Sequence, residues 1–298
     1  MPLRPAAKTP AADLSPWLVG WAENVGLTEH VSPSSIVELR FGVLVDAAFP
    51  HASEDRRRLA AAWMLLLCLL DDFAETHEGS SRTLAARLEC LQLRLGGTRR
   101  LGSSPDVLGR ACDRFHRLTT RTGTMHRFHR EVGTLFAAYV EEHAFHGHPP
   151  HTGLQRHVAL RRTTSGVATV QALFPLMTGY LWPERRRRVQ QLAEWASDLI
   201  AWSNDLWTAE VERDTRAHNL LFVLERAHGL EPLYARRSLV SMHNVLMRRF
   251  VSLVRVLLHN DLEPTTRAFV AMQVAMVRAH YDWAGVTGLY AELAMDPR

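Results

Sequence analysis

Two stretches of this chain carry side chains whose types and spacing could do chemistry. The first is Leu65–Glu78, reading LLLCLLDDFAETHE, in which an apolar run ends in Asp71 and Asp72, with Glu75 one helical turn on. Asp71 and Glu75 are i,i+4 and share a helix face, with Asp72 alongside. Burying unpaired charge costs several kcal/mol, so something cationic has to meet these carboxylates. Hard oxygen ligands in this number suit Mg2+, which keeps several waters and bridges to phosphate oxygens. Alone, DDxxE also fits a solvated helix end. The second stretch is LIAWSNDLWTAEVERD, Leu199–Asp214. Leu192, Ala196 and Ile200 form an i,i+4 row that continues as Asn204, Thr208 and Glu212. An apolar stripe that turns into amide, hydroxyl and carboxylate oxygens is what a helix-borne Mg2+ site needs. Two such faces can meet across a helical bundle and leave metal ions with an open side for a diphosphate.

The elements that must position these rows read as helices throughout. Trp17, Leu18, Trp21 and Val25 recur at helical spacing within Leu14–Leu27. Ser35 and Glu38 form a capping-box pattern ahead of a helix over Ile36–Ala48 that ends at Pro50. Ser53 is placed to cap a long helix running to the aspartates. Further helices are expected at Leu84–Leu95, Pro105–Thr119, Met125–His143, Leu154–Ala172, Leu173–Leu181, Pro183–Arg213, His218–Ala227, Leu233–Leu258 and Pro264–Tyr290. Breaks at Gly96-Gly97, Gly147–Pro150, Trp182-Pro183 and Asn260–Pro264 are short, and alternating strand patterns are absent. With no repeat or linker, the expectation is one all-α domain over 11–298 behind a Pro- and Ala-rich, disordered tail over 1–10.

Composition narrows the function classes. The chain has 298 residues, 47% of them hydrophobic, enough for a sizeable core, and a net charge of +4. No apolar run approaches the roughly 20 residues of a membrane span, and MPLRPAAKTPAADL lacks the apolar core of a secretory signal. A soluble, cytoplasmic protein is expected, with no membrane partner. The positive charge is almost entirely arginine. Runs at Arg56–Arg58 and Arg185–Arg188 read as solvated helix starts, because no aromatic-interleaved basic patch marks a nucleic-acid partner. Cys68, Cys90 and Cys112 show no metal or disulfide spacing and read as reduced thiols.

The two motifs together resemble the class I terpene synthases of bacterial type. Asp71-Asp72-Phe73-Ala74-Glu75 looks like that family's aspartate-rich motif. Asn204-Asp205-Leu206-Trp207-Thr208-Ala209-Glu210-Val211-Glu212 looks like its NSE motif, N-D-x-x-S/T-x-x-x-E. Ala47–Phe73 resembles the approach to the first motif, and Arg161-Arg162-Thr163-Thr164-Ser165-Gly166 resembles an Arg-Arg-x-x-x-Gly segment ahead of the second. The resemblance implies an α-helical bundle with a central active-site cavity and a cluster of three Mg2+ ions. Asp71, Asp72 and Glu75 would hold part of that cluster, and Asn204, Thr208 and Glu212 the rest. The ions would bind the diphosphate of a farnesyl substrate, or of a C20 substrate that is linear or a bicyclic labdane type supplied by a class II cyclase. Loss of diphosphate would leave a carbocation that cyclises and is quenched by deprotonation or water. Phe73, Phe174, Trp202, Trp207 and Trp283 are candidates to line the pocket, with Thr164 and Ser165 at the linker and effector positions of the sensor segment. Aromatic faces can stabilise a cation, although for any one ring ordinary core packing is the better explanation. The sensor is Arg161, or Arg162 if the segment is shifted by one residue. A homodimer is left open.

The sequence also departs from the family pattern. Val211 stands where Lys or Arg usually precedes the last Glu. The C-terminal W-x-x-x-T-x-R-Y pattern reads Trp283, Thr287, Leu289, Tyr290, so its Arg is missing and Tyr290 is the contact that remains. Arg213 and Arg278 are candidate substitutes. The helix before Asp71 has Leu66 and Cys68 where bulky rings are common. Chain-elongating prenyl synthases would need a second aspartate-rich motif, and head-to-head synthases paired DxxxD motifs. The rival from another class is a silent helical interaction protein that retains the fold.

Overall fold

A computed structural model describes residues 13–97, 102, 104–120, 125–145, 153–183, 187–213, 218–259 and 263–287. The chain enters through α1 (Ser15–Val25), a 3-10 turn (Leu27–Glu29), α2 (Pro33–Glu38) and α3 (Phe41–Ala48). Next come α4 (Glu54–Glu75), α5 (Ser81–Gly96), α6 (Val107–Thr119) and α7 (His126–Ala144). Three shorter helices follow, α8 (Leu154–Thr164), α9 (Val167–Gln171) and α10 (Phe174–Thr178). The second half is built of α11 (Arg187–Glu212), α12 (Leu220–His228), α13 (Pro232–His259) and α14 (Pro264–Ala284). No strand occurs among the described residues, in agreement with the all-α reading. None of these helices is long and apolar enough to cross a membrane.

Helix α4 is the centre of the bundle because it is apolar almost all round. Ala60–Trp63, Leu65–Leu67 and Leu70 are buried on every side, the pattern of a helix enclosed by others. Trp63 packs edge-on to Phe128 at 4.6 Å and beside Phe115 at 5.3 Å. Its indole N–H donates to Thr169 Oγ1 at 2.9 Å, which ties α4 to α9. Glu54 and Asp55 lie in the first turn of α4, where carboxylates favour the helix dipole. Helix α11 packs against α8, α9, α12, α13 and α14 and forms the opposite wall. Cys68, Cys90 and Cys112 are all free thiols.

Three expectations about boundaries are corrected. The N-cap of α2 is Ser32, whose hydroxyl accepts from the Ser35 amide at 3.0 Å, with Pro33 in the first turn. Ser35 is therefore inside the helix and does not cap it. The helix expected over Ile36–Ala48 is two helices, broken at Arg40, which adopts a left-handed φ of 48°. The helix expected over Leu154–Ala172 is also two, broken at Gly166 with φ 68°. A Cβ at Gly166 would come within 2.6 Å of the Leu67 side chain on α4, so the break and the close approach both require glycine. The tail over 1–10, Leu289 and Tyr290 lie outside the described residues.

Candidate functional site

The carboxylates at the end of α4 and the oxygen row at the end of α11 face each other. Asp71 is half-buried, and Asp72 and Glu75 keep solvent contact. Surrounding protein nevertheless desolvates all three and raises their pKa values. Asp71 is pushed up to about 6: burial dominates, Arg161 and the Tyr139 hydroxyl pull it down, and Asp72 and Glu212 push it up. Glu75 is pushed up to about 7, by burial first and then by Asp71 and Glu212. Glu212, from the last turn of α11, therefore acts on the carboxylates of α4 through space.

Arg161 on α8 links the two rows. It donates from Nε to Asp205 Oδ1 at 2.8 Å and from NH2 to Asn204 Oδ1 at 2.9 Å. Burial opposes its charge, but Asp205, Glu142 and Glu212 outweigh burial and raise its pKa. Arg162, the next residue, points elsewhere. It grips Asp198 with two bonds of 2.7 Å. Of the two sensor candidates, Arg161 is the one brought to the acids.

Four residues that the sequence reading did not single out belong to this cluster. Asp205 is fully buried and accepts from Arg161 and, at 3.1 Å, from the Leu220 amide that opens α12. Glu142 on α7 is pushed up to about 8, by burial first, with Arg161 opposing and Asp71, Glu75 and Asp205 adding to the rise. Thr164 Oγ1 donates to it at 3.4 Å. The Tyr139 hydroxyl is buried beside Asp71 and has no partner at full hydrogen-bonding geometry. Asn219 is 1% exposed and donates to Glu212 Oε2 at 2.9 Å. Asn219 carried a sequence signal, as an N-cap type directly before the apolar run LLFVL. Glu142 and Tyr139 had none, since only tertiary packing brings α7 to Asp71.

The remaining expected residues are placed as follows. Thr208 Oγ1 donates to the Asn204 carbonyl at 3.1 Å. Ser165 donates to the Arg162 carbonyl at 2.8 Å, at the turn between α8 and α9. Phe73 is half-buried, 5.8 Å from the His77 ring. Phe174 is fully buried in an aromatic cluster with Trp182 and Phe269. Trp202 is buried and its indole N–H has no partner among the described residues. Trp207 lies against His280 and Tyr281. Trp283 stacks on Phe41, and its indole donates to the Leu39 carbonyl at 2.6 Å. Of the candidate replacement arginines, Arg213 pairs with Glu225 at 3.2 Å, and Arg278 pairs with Asp282 on an exposed face. A cavity of about 250 Å3 lies apart from the acid cluster, lined by Arg127, Glu131, Arg162, Gln171, Ser197 and Phe269 among others.

The donor set of carboxylates, an amide and a hydroxyl suits a hard divalent cation. Among the described residues, no three His, Cys, Asp or Glu side chains stand close enough to hold one ion. Asp71 and Glu75, raised first by burial and then by neighbouring carboxylates, have no reason to converge further until a cation draws them in.

The class so far is an all-α bundle whose two oxygen-bearing helix ends come near one arginine. The comparisons carry this to a family. Residues 62–249 match the model described as terpene synthase family 2, C-terminal metal binding, and the chain belongs to that family. It is 25% identical over 209 residues to sesquiterpene synthase 6 of Postia placenta (strain ATCC 44394 / Madison 698-R), spanning 67% of this chain and 62% of that protein's length. It is 26% identical over 220 residues to the (+)-T-muurolol synthase ((2E,6E)-farnesyl diphosphate cyclizing) of Roseiflexus castenholzii (strain DSM 13941 / HLO8), spanning 70% and 67% of the two chains. The fold matches that of 2-methylisoborneol synthase from Streptomyces coelicolor A3(2), a structure in complex with Mg2+ and 2-fluoroneryl diphosphate. The TM-score is 0.84, at 22% identity over 96% of this chain and 94% of that one.

Proposed function

We propose that the protein is a class I terpene synthase that ionises an isoprenyl diphosphate, farnesyl diphosphate first among them, and cyclises the resulting carbocation. The observation that carries this reading is the electrostatic meeting of two oxygen rows around one arginine: Asp71 and Glu75 on α4 feel both Glu212 and Arg161. Family membership and the farnesyl-cyclising name of one relative support the choice of substrate.

In this reading Asp71, Asp72 and Glu75, with Asn204, Thr208 and Glu212, would hold a cluster of Mg2+ ions, three by resemblance to the family. Bound there, the ions would supply positive charge against the leaving diphosphate. Arg161 offsets part of the acids' charge in the resting protein, and its NH2 group can turn from Asn204 to an arriving diphosphate oxygen. The C–O bond breaks with both electrons leaving on diphosphate, and the allylic cation is left among apolar and aromatic walls that exclude water. Ring closure and loss of a proton, or capture of one water, end the reaction.

The test is incubation of the protein with geranyl, farnesyl, geranylgeranyl and copalyl-type diphosphates, with and without Mg2+, and gas chromatography–mass spectrometry of the extract. A Mg2+-dependent cyclic product from farnesyl diphosphate is expected. Product from a C20 diphosphate alone would keep the class and move the substrate. No product from any, with no ordering on addition of Mg2+ and pyrophosphate, would favour a protein that retains the fold without its chemistry.

A further inference from the structure

Asn219 opens α12 and is 1% exposed. Its Oδ1 accepts from the Leu221 amide at 2.8 Å, an ordinary N-cap bond. Its Nδ2 donates to the Asp205 carbonyl at 2.7 Å and to Glu212 Oε2 at 2.9 Å. Asp205 answers from the other side, its Oδ2 accepting from the Leu220 amide at 3.1 Å. The start of α12 is thus clasped to α11 at two points one turn or more apart, and one of them is a candidate metal ligand.

Capping alone does not account for this residue. A cap uses only the side-chain oxygen, and serine or aspartate would serve as well. The amide hydrogens are what asparagine adds, and a buried N–H left without acceptors would be costly. Both point at α11. Glu212 closes the last turn of that helix, where the backbone carbonyls lack intrahelical partners. A donor held rigidly by a neighbouring helix sets the plane of its carboxylate.

We infer that Asn219 is a positioning residue for Glu212, fixing Oε2 so that the carboxylate is presented ready-formed to a divalent cation. This rests on the proposed metal-binding role of Glu212. Hydrogen-bond partners that orient ligating carboxylates typically govern metal affinity by about 10- to 100-fold.

The experiment uses Mn2+ as the probe, titrated in the presence of inorganic pyrophosphate, with free Mn2+ read by electron paramagnetic resonance. Asn219→Ser keeps a capping oxygen but is too short to reach Glu212. It is expected to weaken Mn2+ binding about 10- to 100-fold, while lowering the melting temperature in EDTA less than Asn219→Ala does. Asn219→Ala should weaken Mn2+ equally and lower the melting temperature further. In turnover, the Mg2+ concentration giving half-maximal rate should rise for Asn219→Ser, with kcat recovering at saturating metal. Wild-type Mn2+ affinity in Asn219→Ser, or a loss confined to Asn219→Ala in step with its melting temperature, would reduce Asn219 to a helix cap. Glu212→Gln separates the two readings. If Glu212→Gln itself binds Mn2+ normally, the metal assignment of Glu212 fails, and the positioning role fails with it.

Discussion

The two faces of α8 carry the same side chain, at adjacent positions, into different surroundings. On one face Arg161 meets Asp205 and Asn204 and shares its charge with Asp71, Glu75, Glu142 and Glu212. On the other, Arg162 is gripped by Asp198, with Glu194 at 4.0 Å. Nearby, Arg127 pairs with Glu131 at 3.4 Å and lies 3.6 Å over the Trp182 ring. On this second face Arg127, Arg130 and Arg162 stand against Glu131, Glu194 and Asp198, and the Arg162–Asp198 pair ties α8 to α11. The first has more carboxylates than the cation they share can neutralise. An excess of buried like charge is unfavourable for a structure by itself and favourable for a structure awaiting cations. Charge balance, more than the presence of arginine, separates the candidate site from the scaffold.

The strongest way to break this comparison is to remove ligands from the unbalanced face. Asp72→Ala or Asn204→Ala should cut turnover by roughly 10²–10³-fold or more, with the helical circular dichroism signal near wild type. Unchanged turnover in both would refute the two-row metal site. Next come the paired arginines. Arg161→Gln should cost turnover heavily, whereas Arg162→Gln should leave turnover near wild type and cost about 1–3 kcal/mol of stability, by stranding buried Asp198. The reverse order in steady-state kinetics would move the sensor by one residue.

The pH response sharpens the contrast further. Asp71, Glu75 and Glu142 have folded values of about 6, 7 and 8, above those of free carboxylates. A raised folded value gives stability that is full below the unfolded pKa and is lost as pH rises through the folded one. Burial holds His157 and His280 low, at about 3 and 4, so their effect runs the other way and is confined to pH below about 6.5. In EDTA the melting temperature should therefore fall from about pH 6.5 to about pH 8, where the highest of these folded values lies, and level off above it. Mg2+ with pyrophosphate should restore it, and Glu142→Gln should flatten the slope; a metal-free melting temperature that rises over this range would contradict the charge excess. The smallest effect belongs to the balanced face: Glu131→Gln should change stability by about 1 kcal/mol or less, because its pair with Arg127 is partly solvated, and should leave turnover unaltered.

Both oxygen rows were legible in the sequence, because an i,i+4 repeat on a helix is a local property. Asn204, Thr208 and Glu212 share a face whatever surrounds them. The breaks at Arg40 and Gly166 were not legible. Arg40 is a residue that rarely adopts positive φ, and the need for Gly166 comes from Leu67 on a different helix. Ser32 was overlooked as a cap because Ser35 and Glu38 offered an equally regular pattern three residues later. Glu142 and Tyr139 reach Asp71 from α7, and no spacing in the chain records that approach.

By itself, then, the sequence determined what periodicity can carry: an all-helical chain, a central apolar helix ending in Asp71, Asp72 and Glu75, and a second helix ending in Asn204, Thr208 and Glu212. The tertiary structure alone decided which charges meet. It turned Arg161 toward the acids and Arg162 away, buried Asp205 as the link between α8, α11 and α12, and set Asn219 against Glu212. Helix faces follow from bonds three and four residues apart, whereas charge balance is a sum over neighbours that only folding assembles.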